Sequence, residues 1–222
     1  MKRVICFDLW NTLVRSCQGT GASYADVLVR LGANMESIYP IVREELMISQ
    51  MDYMEMAVYL CRRLNLRPTE NDLLEIANNW RRDNDESEWL PDAVQLLEEL
   101  RRQDNALVLI TNITWPAWAA VNSKLGAGQH FDYTFLSCCE GLSKPDQRVW
   151  QTVENVLPNF SPSERWMIGD NETDDLAVPA AMGWETILVG AEGVPLTEVS
   201  GIIDGSKRCD DLAWGWSLIP PH

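Results

Sequence analysis

The stretch VICFDLWNTLV, residues 4–14, begins with four apolar residues and turns polar at Asp8. A short apolar run that stops at a polar residue is typical of a buried strand in a parallel sheet. Asp8 is therefore predicted to lie where the first strand ends. Three later runs have the same form: Ala106–Ile110 before Thr111, Tyr133–Leu136 before Ser137, and Trp166–Ile168 before Gly169.

Helical patterns lie between these predicted strands. Between Pro91 and Arg102, the residues Val94, Leu97 and Leu100 recur on one helical face, and proline suits the first position of a helix. Alternating strands and helices predict an α/β fold whose doubly wound parallel sheet is covered by helices on both faces.

The segment 15–85 interrupts this alternation, because it contains several helical patterns in a row and no convincing strand. We predict that it is a helical cap domain inserted after the first strand, and that residues 1–14 and 86–222 form the core. The polar run from Arg81 to Glu88 is predicted to return the chain to that core. Thr69 and Asp72 have the spacing of a helix capping box. Three groups have the spacing of an apolar helix face: Tyr24, Val27, Leu28 and Leu31; Met54, Ala57, Val58 and Cys61; Leu73, Ile76, Ala77 and Trp80.

The composition limits the classes of partner. The 222 residues carry 18 basic and 33 acidic side chains, a formal net charge of -15 that repels nucleic-acid phosphates and anionic membranes. The apolar run Val4–Phe7 is too short for a signal peptide or a membrane span. The six cysteines have no C-x-x-C spacing and favour a reducing compartment. We therefore expect a cytoplasmic protein with no nucleic-acid or membrane partner.

Polar residues follow the predicted strands at the edge where ligands bind in doubly wound sheets. These residues are Asp8, Thr111 with Asn112, and Asp170, while Lys144 lies in a short loop after the third strand. The carboxyl ends of parallel strands meet at one edge of the sheet. The sequence thus predicts that two carboxylates, a hydroxyl and a lysine converge there.

Four motifs at these positions resemble the haloacid dehalogenase-like superfamily, most of whose members are phosphatases. VICFDLWNTLV is similar to its D-x-D-x-T-L nucleophile motif, and LVLITN places Thr111 at its phosphate-binding Ser/Thr position. GLSKPD supplies Lys144, and IGDNETDDLAVPAAMGW matches its G-D-x-x-x-x-D pattern. The order and spacing of all four imply a Rossmann-like core with a helical cap and a hydrolase that uses an aspartyl-phosphate.

The resemblance implies a role for each of these residues. Asp8 would be the nucleophile, Thr111 and Asn112 would bind the phosphoryl group, and Lys144 would tie that group to Asp8. Mg²⁺ would be held by Asp8, the backbone carbonyl of Trp10 and Asp170, an all-oxygen set that suits this ion. Asp175 would orient Lys144 or a water on the metal. The implied substrate is a small phosphorylated metabolite, and the implied state is a monomer or a homodimer.

One position departs from the family pattern. Trp10 stands where the family's phosphatases place a second aspartate that protonates the leaving group, and an indole cannot transfer protons at neutral pH. Three interpretations remain open: a phosphatase that depends on a good leaving group or on another acid, a hydrolytic dehalogenase, and a catalytically weak phosphate-binding protein. Trp10 could also wall the pocket or stack on a ring of the substrate. The cap residues Arg15, Arg43, Arg62 and Arg63 could contact an anion, and the sequence does not choose among them.

Overall fold

The computed structural model describes residues 2–16, 22–191 and 193–206. In chain order these residues form β1 (Val4–Phe7), β2 (Val14–Ser16), α1 (Tyr24–Arg30), α2 (Met35–Ile41), a π-helix (Val42–Leu46), α3 (Tyr53–Arg63), α4 (Glu70–Asp85), β3 (Ser87–Trp89), α5 (Ala93–Arg102), β4 (Ala106–Thr111), α6 (Trp115–Leu125), a 3-10 helix (Ala127–His130), β5 (Tyr133–Leu136), α7 (Ser137–Glu140), α8 (Arg148–Val156), a 3-10 helix (Pro162–Glu164), β6 (Arg165–Gly169), a second π-helix (Glu172–Leu176), α9 (Ala177–Ala181), β7 (Glu185–Leu188) and α10 (Leu196–Asp204).

Five parallel strands form the central sheet in the order β5-β4-β1-β6-β7. The predicted strands β1 and β5 are confirmed with the expected bounds, while β4 extends through Thr111 and β6 spans Arg165–Gly169. The chain order reverses on either side of β1, which pairs with β4 on one side and β6 on the other. Such a reversal opens a crevice beyond the carboxyl ends of these strands. Asp8 follows β1 at this crevice.

Both faces of the sheet are buried, as the α/β prediction requires. Ile5 and Phe7 pack into one apolar cluster with side chains of α5, α6 and α10. Val4 and Cys6 point the other way, into a second cluster that contains the fully buried Trp150 of α8. Successive strand residues point to opposite faces, so an uninterrupted apolar run is what a strand covered on both sides needs. The doubly wound fold class is confirmed.

Helices α1–α4 and the first π-helix, called here the cap helices, bury an apolar cluster of their own. The predicted apolar faces of α1, α3 and α4 all contribute to it, and the rings of Tyr24 and Trp80 stack with centroids 4.0 Å apart. The capping box of Thr69 and Asp72 is confirmed at the start of α4. The division into a core of 1–14 and 86–222 and a cap of 15–85 stays a prediction, and residues 17–21 and 207–222 lie outside the described residues.

One local prediction is wrong and another gains detail. Helix α4 continues to Asp85, so most of the polar run that was predicted to return the chain to the core is the last turns of this helix. Helix α5 begins at Ala93, because Asp92 adopts a left-handed φ of 67° and Pro91 therefore lies in the preceding turn. A run of polar residues is compatible with an exposed helix end.

The chain enters and leaves the cap helices through a two-stranded ribbon that the sequence does not predict. Strands β2 and β3 pair antiparallel, with Val14 opposite Trp89 and Ser16 opposite Ser87. Each strand has three residues, too few for a hydrophobic period to be recognised.

The remaining expectations concern the cysteines and the membrane. Cys6, Cys61, Cys138 and Cys139 are free thiols, and the other two cysteines, Cys17 and Cys209, lie outside the described residues. Among the helices of the described ranges, none combines the length and the apolar character needed to cross a membrane.

Candidate active site

The loop after β1 holds Asp8 at the centre of the crevice. The backbone N–H of Asp8 donates to the carbonyl of Ile168 at 2.9 Å, which fixes the end of β1 against β6. A tight turn follows, in which Asn11 has a left-handed φ of 59° that asparagine tolerates. Within the described part of the chain, the hydrogen bonds of this turn leave the carbonyl of Trp10 without a donor.

Lys144 is buried between two carboxylates. Its Nζ donates to Asp8 Oδ1 at 2.6 Å and to Asp175 Oδ1 at 2.5 Å, and the residue is only 3% exposed. The Asn112 side chain fixes the lysine loop, since its Oδ1 accepts from the Lys144 N–H at 2.8 Å and its Nδ2 donates to the Lys144 carbonyl at 3.0 Å. The predicted convergence of Lys144 and Asp8 is therefore present. The substrate contact predicted for Asn112 stays a prediction.

Three carboxylates lie together at this point. Oxygens of Asp8, Asp170 and Asp175 are all within 4.8 Å of one another. Asp175 also accepts from the backbone N–H of Asn171 at 3.1 Å, so both of its oxygens accept protein hydrogen bonds. Asp170 accepts from the hydroxyl of Thr12 at 3.3 Å. Asp8 and Asp170 are thus better placed than Asp175 to take an external ligand.

Gly169 makes this close approach possible. A Cβ at this position would lie 2.3 Å from Asp175 Oδ2, so no larger residue fits without displacing the carboxylate. The glycine of the fourth motif is therefore needed for the space between β6 and the second π-helix, and not for an unusual backbone angle.

The charges of this cluster are not balanced by protein groups. Burial raises the pKa of the Asp8 carboxyl to about 7; the Lys144 ammonium opposes this rise, and Asp175 and Asp170 add to it. Burial alone would lower the pKa of Lys144, but the charges and hydrogen bonds of Asp8 and Asp175 outweigh it and raise that pKa. Burial also raises the pKa of Asp170. With all three carboxylates ionised, the single ammonium would leave an excess of negative charge, and a bound cation would compensate it and favour the ionised forms.

The donor set fits a divalent metal ion. Carboxylate oxygens are the ligands that Mg²⁺ and Ca²⁺ prefer, and the cluster offers them next to an unpaired backbone carbonyl. The fit rests on the oxygen chemistry and on the excess negative charge together.

Thr111 ends β4 beside this cluster and is 1% exposed. Its hydroxyl has no hydrogen-bond partner among the described residues. A buried hydroxyl left unpaired costs about 1–3 kcal/mol, which a ligand oxygen at this point would recover. The position predicted to bind phosphate therefore has a free donor.

The cap helices contact the core beside the crevice. Arg43 of the first π-helix forms an ion pair with Asp174, the neighbour of Asp175, and the Met47 carbonyl accepts from the Ser137 hydroxyl at 2.5 Å. Two of the other arginines considered for anion binding form pairs within the chain: Arg15 with Glu88 and Arg63 with Glu45. Sequence reasoning missed the part of Thr12 and Asn171 in holding the aspartates. Thr12 lies 158 positions from Asp170, and Asn171 contacts Asp175 through its backbone N–H, which no side-chain pattern reveals.

The sequence matches a known protein family and a curated relative. The sequence model of the haloacid dehalogenase-like hydrolase family matches residues 2–183. A ribulose-1,5-bisphosphate 5-phosphatase of Halopiger xanaduensis is 31% identical over 138 residues, which cover 60% of this chain and 57% of that protein. The match therefore spans little more than half the length of that relative.

Solved structures share the fold at low sequence identity. A HAD family enzyme from Bacteroides thetaiotaomicron, solved as a magnesium complex, has a TM-score of 0.64 at 16% identity over 85% of this chain and 93% of that chain. A 2-haloacid dehalogenase from Pseudomonas syringae has a TM-score of 0.63 at 18% identity over 93% of this chain and 100% of that chain. Likeness at these identities is a likeness of fold.

Proposed function

Because the chain belongs to the haloacid dehalogenase-like hydrolase family, we propose that it is a Mg²⁺-dependent phosphomonoesterase that attacks its substrate with the carboxylate of Asp8. The observation that supports this most is the contact of Lys144 with both Asp8 and Asp175, at 2.6 Å and 2.5 Å. A carboxylate can attack a phosphoryl group only when the repulsion between the two anions is reduced, and a buried ammonium contributes to that.

Each residue of the cluster has a proposed role. Asp8 Oδ2 attacks the phosphorus and forms an aspartyl-phosphate, while Lys144 holds Oδ1 and orients the carboxylate. The ester P–O bond breaks in the same step, and the leaving oxygen departs as an anion that takes a proton from water. The free hydroxyl of Thr111 donates to a phosphoryl oxygen. Water then hydrolyses the aspartyl-phosphate and releases inorganic phosphate. Asn112 supports this site through the backbone of Lys144 and is also our candidate for a phosphoryl contact.

Mg²⁺ would be held by Asp8, the carbonyl of Trp10 and Asp170. Asp175 would keep Lys144 in place through its hydrogen bond to Nζ. When bound, the ion supplies the positive charge that the cluster needs to accept a phosphate dianion. The magnesium complex of the enzyme from Bacteroides thetaiotaomicron, which has the same fold, supports magnesium as the first ion to test.

Two alternatives have a specific observation in their favour. A hydrolytic dehalogenase needs no acid, because a halide leaves without a proton, and Trp10 is compatible with that chemistry; a dehalogenase is also among the structures that share the fold. A phosphate-binding protein would keep Thr111 and Lys144 and lack turnover. The close approach of three carboxylates favours the metal-dependent phosphatase over the dehalogenase, and the turnover assay below separates it from the binding protein. The match to a sugar-bisphosphate phosphatase supports a small phosphorylated metabolite as the substrate.

A release assay over a panel of phosphomonoesters and 2-haloacids, each with and without Mg²⁺, tests the proposed function. We expect release of inorganic phosphate from at least one ester in the presence of Mg²⁺, and no halide. Halide release would identify a dehalogenase. Ligand binding by calorimetry without any turnover would identify a binding protein.

The exchange of Trp10 for Asp tests whether the absence of a general acid at this position limits the rate. In the parent protein, the rate should depend strongly on how well the leaving group carries negative charge, because no carboxylic acid protonates it. We expect Trp10→Asp to raise kcat/KM for simple alkyl phosphates by about 10- to 100-fold, which is within the usual contribution of a general acid. Aryl phosphates should gain much less.

The measurement is kcat/KM across a series of esters that differ in the acidity of the leaving group. Trp10→Asn is the matched control, since it has the size of the aspartate and no transferable proton. Equal sensitivity to the leaving group in the parent and in Trp10→Asp would mean that another residue already acts as the acid.

A further inference from the structure

A cavity of about 110 Å³ lies between the cap helices and the loops that hold the cluster. Trp10 contributes to its wall from the loop after β1, and Ile113 and Thr114 contribute from the loop after β4. These are the loops of Asp8 and Thr111. A phosphoryl group at Asp8 would therefore have its leaving group in or beside this cavity.

The wall of the cavity is aromatic and uncharged. Four of its residues are aromatic, four are Val42, Met47, Ile113 and Ala117, and two are the polar Asn84 and Thr114; the aromatic ones are Trp10, Tyr24, Tyr39 and Trp80. The amide of Asn84 donates to the Tyr53 hydroxyl at 3.0 Å, and no charged side chain is among the described residues of the lining. The nearby Arg43 is held by its ion pair with Asp174. A charged group that entered this cavity would lose water without gaining a partner, which is costly. An apolar ring would gain from the same transfer.

The size of the cavity and one unpaired hydroxyl in its wall narrow the class of substrate further. An apolar protein cavity of roughly 150 Å³ holds one benzene molecule, so this cavity is of the class that holds a single ring. Thr114 is 3% exposed, and its hydroxyl has no hydrogen-bond partner in the described part of the chain. A substrate with one hydrogen-bonding substituent would satisfy that hydroxyl.

We propose that the substrate is the phosphate ester of a small uncharged ring compound with one hydrogen-bonding substituent, whose ring is held by the aromatic wall of this cavity. The inference rests on the proposed phosphatase function and specifies its leaving group. The proposed substrate class excludes leaving groups that bear a second phosphate, because such a group would meet no cation among the described residues of the cavity wall.

Four aryl phosphates whose phenols have similar acidity test the proposal: phenyl, 3-hydroxyphenyl, 3-carboxyphenyl and 1-naphthyl phosphate. We expect kcat/KM for 3-carboxyphenyl and 1-naphthyl phosphate to be about tenfold or more below that for phenyl phosphate, because of the unpaired charge and the second ring. The 3-hydroxyphenyl ester should exceed phenyl phosphate by about two- to tenfold. Equal or faster turnover of the carboxylated ester would overturn the inference and leave the phosphatase function standing. Absence of phosphate release from every ester would contradict the phosphatase function itself.

Two variants locate the effect in this cavity. Thr114→Val keeps the shape and should remove the advantage of the 3-hydroxyphenyl ester over phenyl phosphate. Tyr39→Lys places a cation at the wall and should raise the ratio of 3-carboxyphenyl to phenyl turnover by about fivefold. The control is Leu74→Lys, which makes the same charge change at another exposed cap residue, 43% exposed and outside the cavity wall. A similar change of the turnover ratio in the control Leu74→Lys would contradict the proposal that this cavity selects the substrate. Unchanged ratios in both Tyr39→Lys and Thr114→Val would contradict it as well.

Discussion

Replacing Asp8 with Asn lowers kcat by at least about 10³-fold and leaves the protein folded, if Asp8 is the nucleophile as we propose. Asparagine has the same shape as aspartate but cannot form the acyl-phosphate. The fold should survive, because Lys144 keeps its hydrogen bond to Asp175 at 2.5 Å and burial already disfavours the ionised form of Asp8. The thermal midpoint should therefore stay within about 5 °C of the parent value.

The measurement is phosphate release under single-turnover conditions, together with a thermal melt. Beryllofluoride should bind the parent protein with Mg²⁺ and should fail to bind Asp8→Asn. Asp52→Asn is the matched control, because it removes one carboxylate charge from the cap helices while asparagine still caps α3. Near-normal turnover by Asp8→Asn would rule out the covalent mechanism.

We expect that removal of divalent metal ions with EDTA reduces turnover to the background rate. The site pairs three carboxylates with one lysine, and it cannot accept a phosphate dianion without additional positive charge. Addition of Mg²⁺ after EDTA treatment should restore the rate. Full activity in EDTA, accompanied by halide release from a haloacid, would favour the dehalogenase.

A second readout does not depend on activity. A metal ion that binds only the folded protein stabilises it, by about 2.7 kcal/mol when its concentration is 100 times the dissociation constant. The thermal midpoint of the parent should therefore rise with Mg²⁺ concentration. Asp170→Asn should lose most of this rise and most of the turnover. A rise of the same size in Asp170→Asn would contradict the proposed role of Asp170 as a ligand.

The sequence predicts the core of the fold because β1, β4 and β6 lie inside the sheet and are almost entirely buried. A strand in that position is an uninterrupted apolar run, and such runs stand out from the surrounding helices. Both β5 and β7 are edge strands. The strand β5 was predicted because its second half, Phe135 and Leu136, is apolar and buried, whereas β7 was missed because it reads ETIL and only Ile187 in it is buried.

The site was predictable in outline for a related reason. Parallel strands bring their carboxyl ends to one edge, so Asp8 and Lys144 meet although 136 positions separate them. The individual partners were not predictable. The two hydrogen bonds between Asn112 and the Lys144 backbone depend on the path of a loop, and the space that Gly169 leaves for Asp175 depends on the packing of a π-helix.

The ribbon of β2 and β3 brings together the two points at which the chain enters and leaves the cap helices. Ser16 and Ser87 stand opposite each other in it, and paired antiparallel residues have Cα atoms about 5 Å apart. A two-residue turn spans that gap, so we expect that such a turn can replace the chain between the two serines and close the ribbon as a hairpin. Asp8 and Lys144 lie outside the replaced segment. The exchange would therefore alter recognition of the leaving group and keep the residues proposed for catalysis.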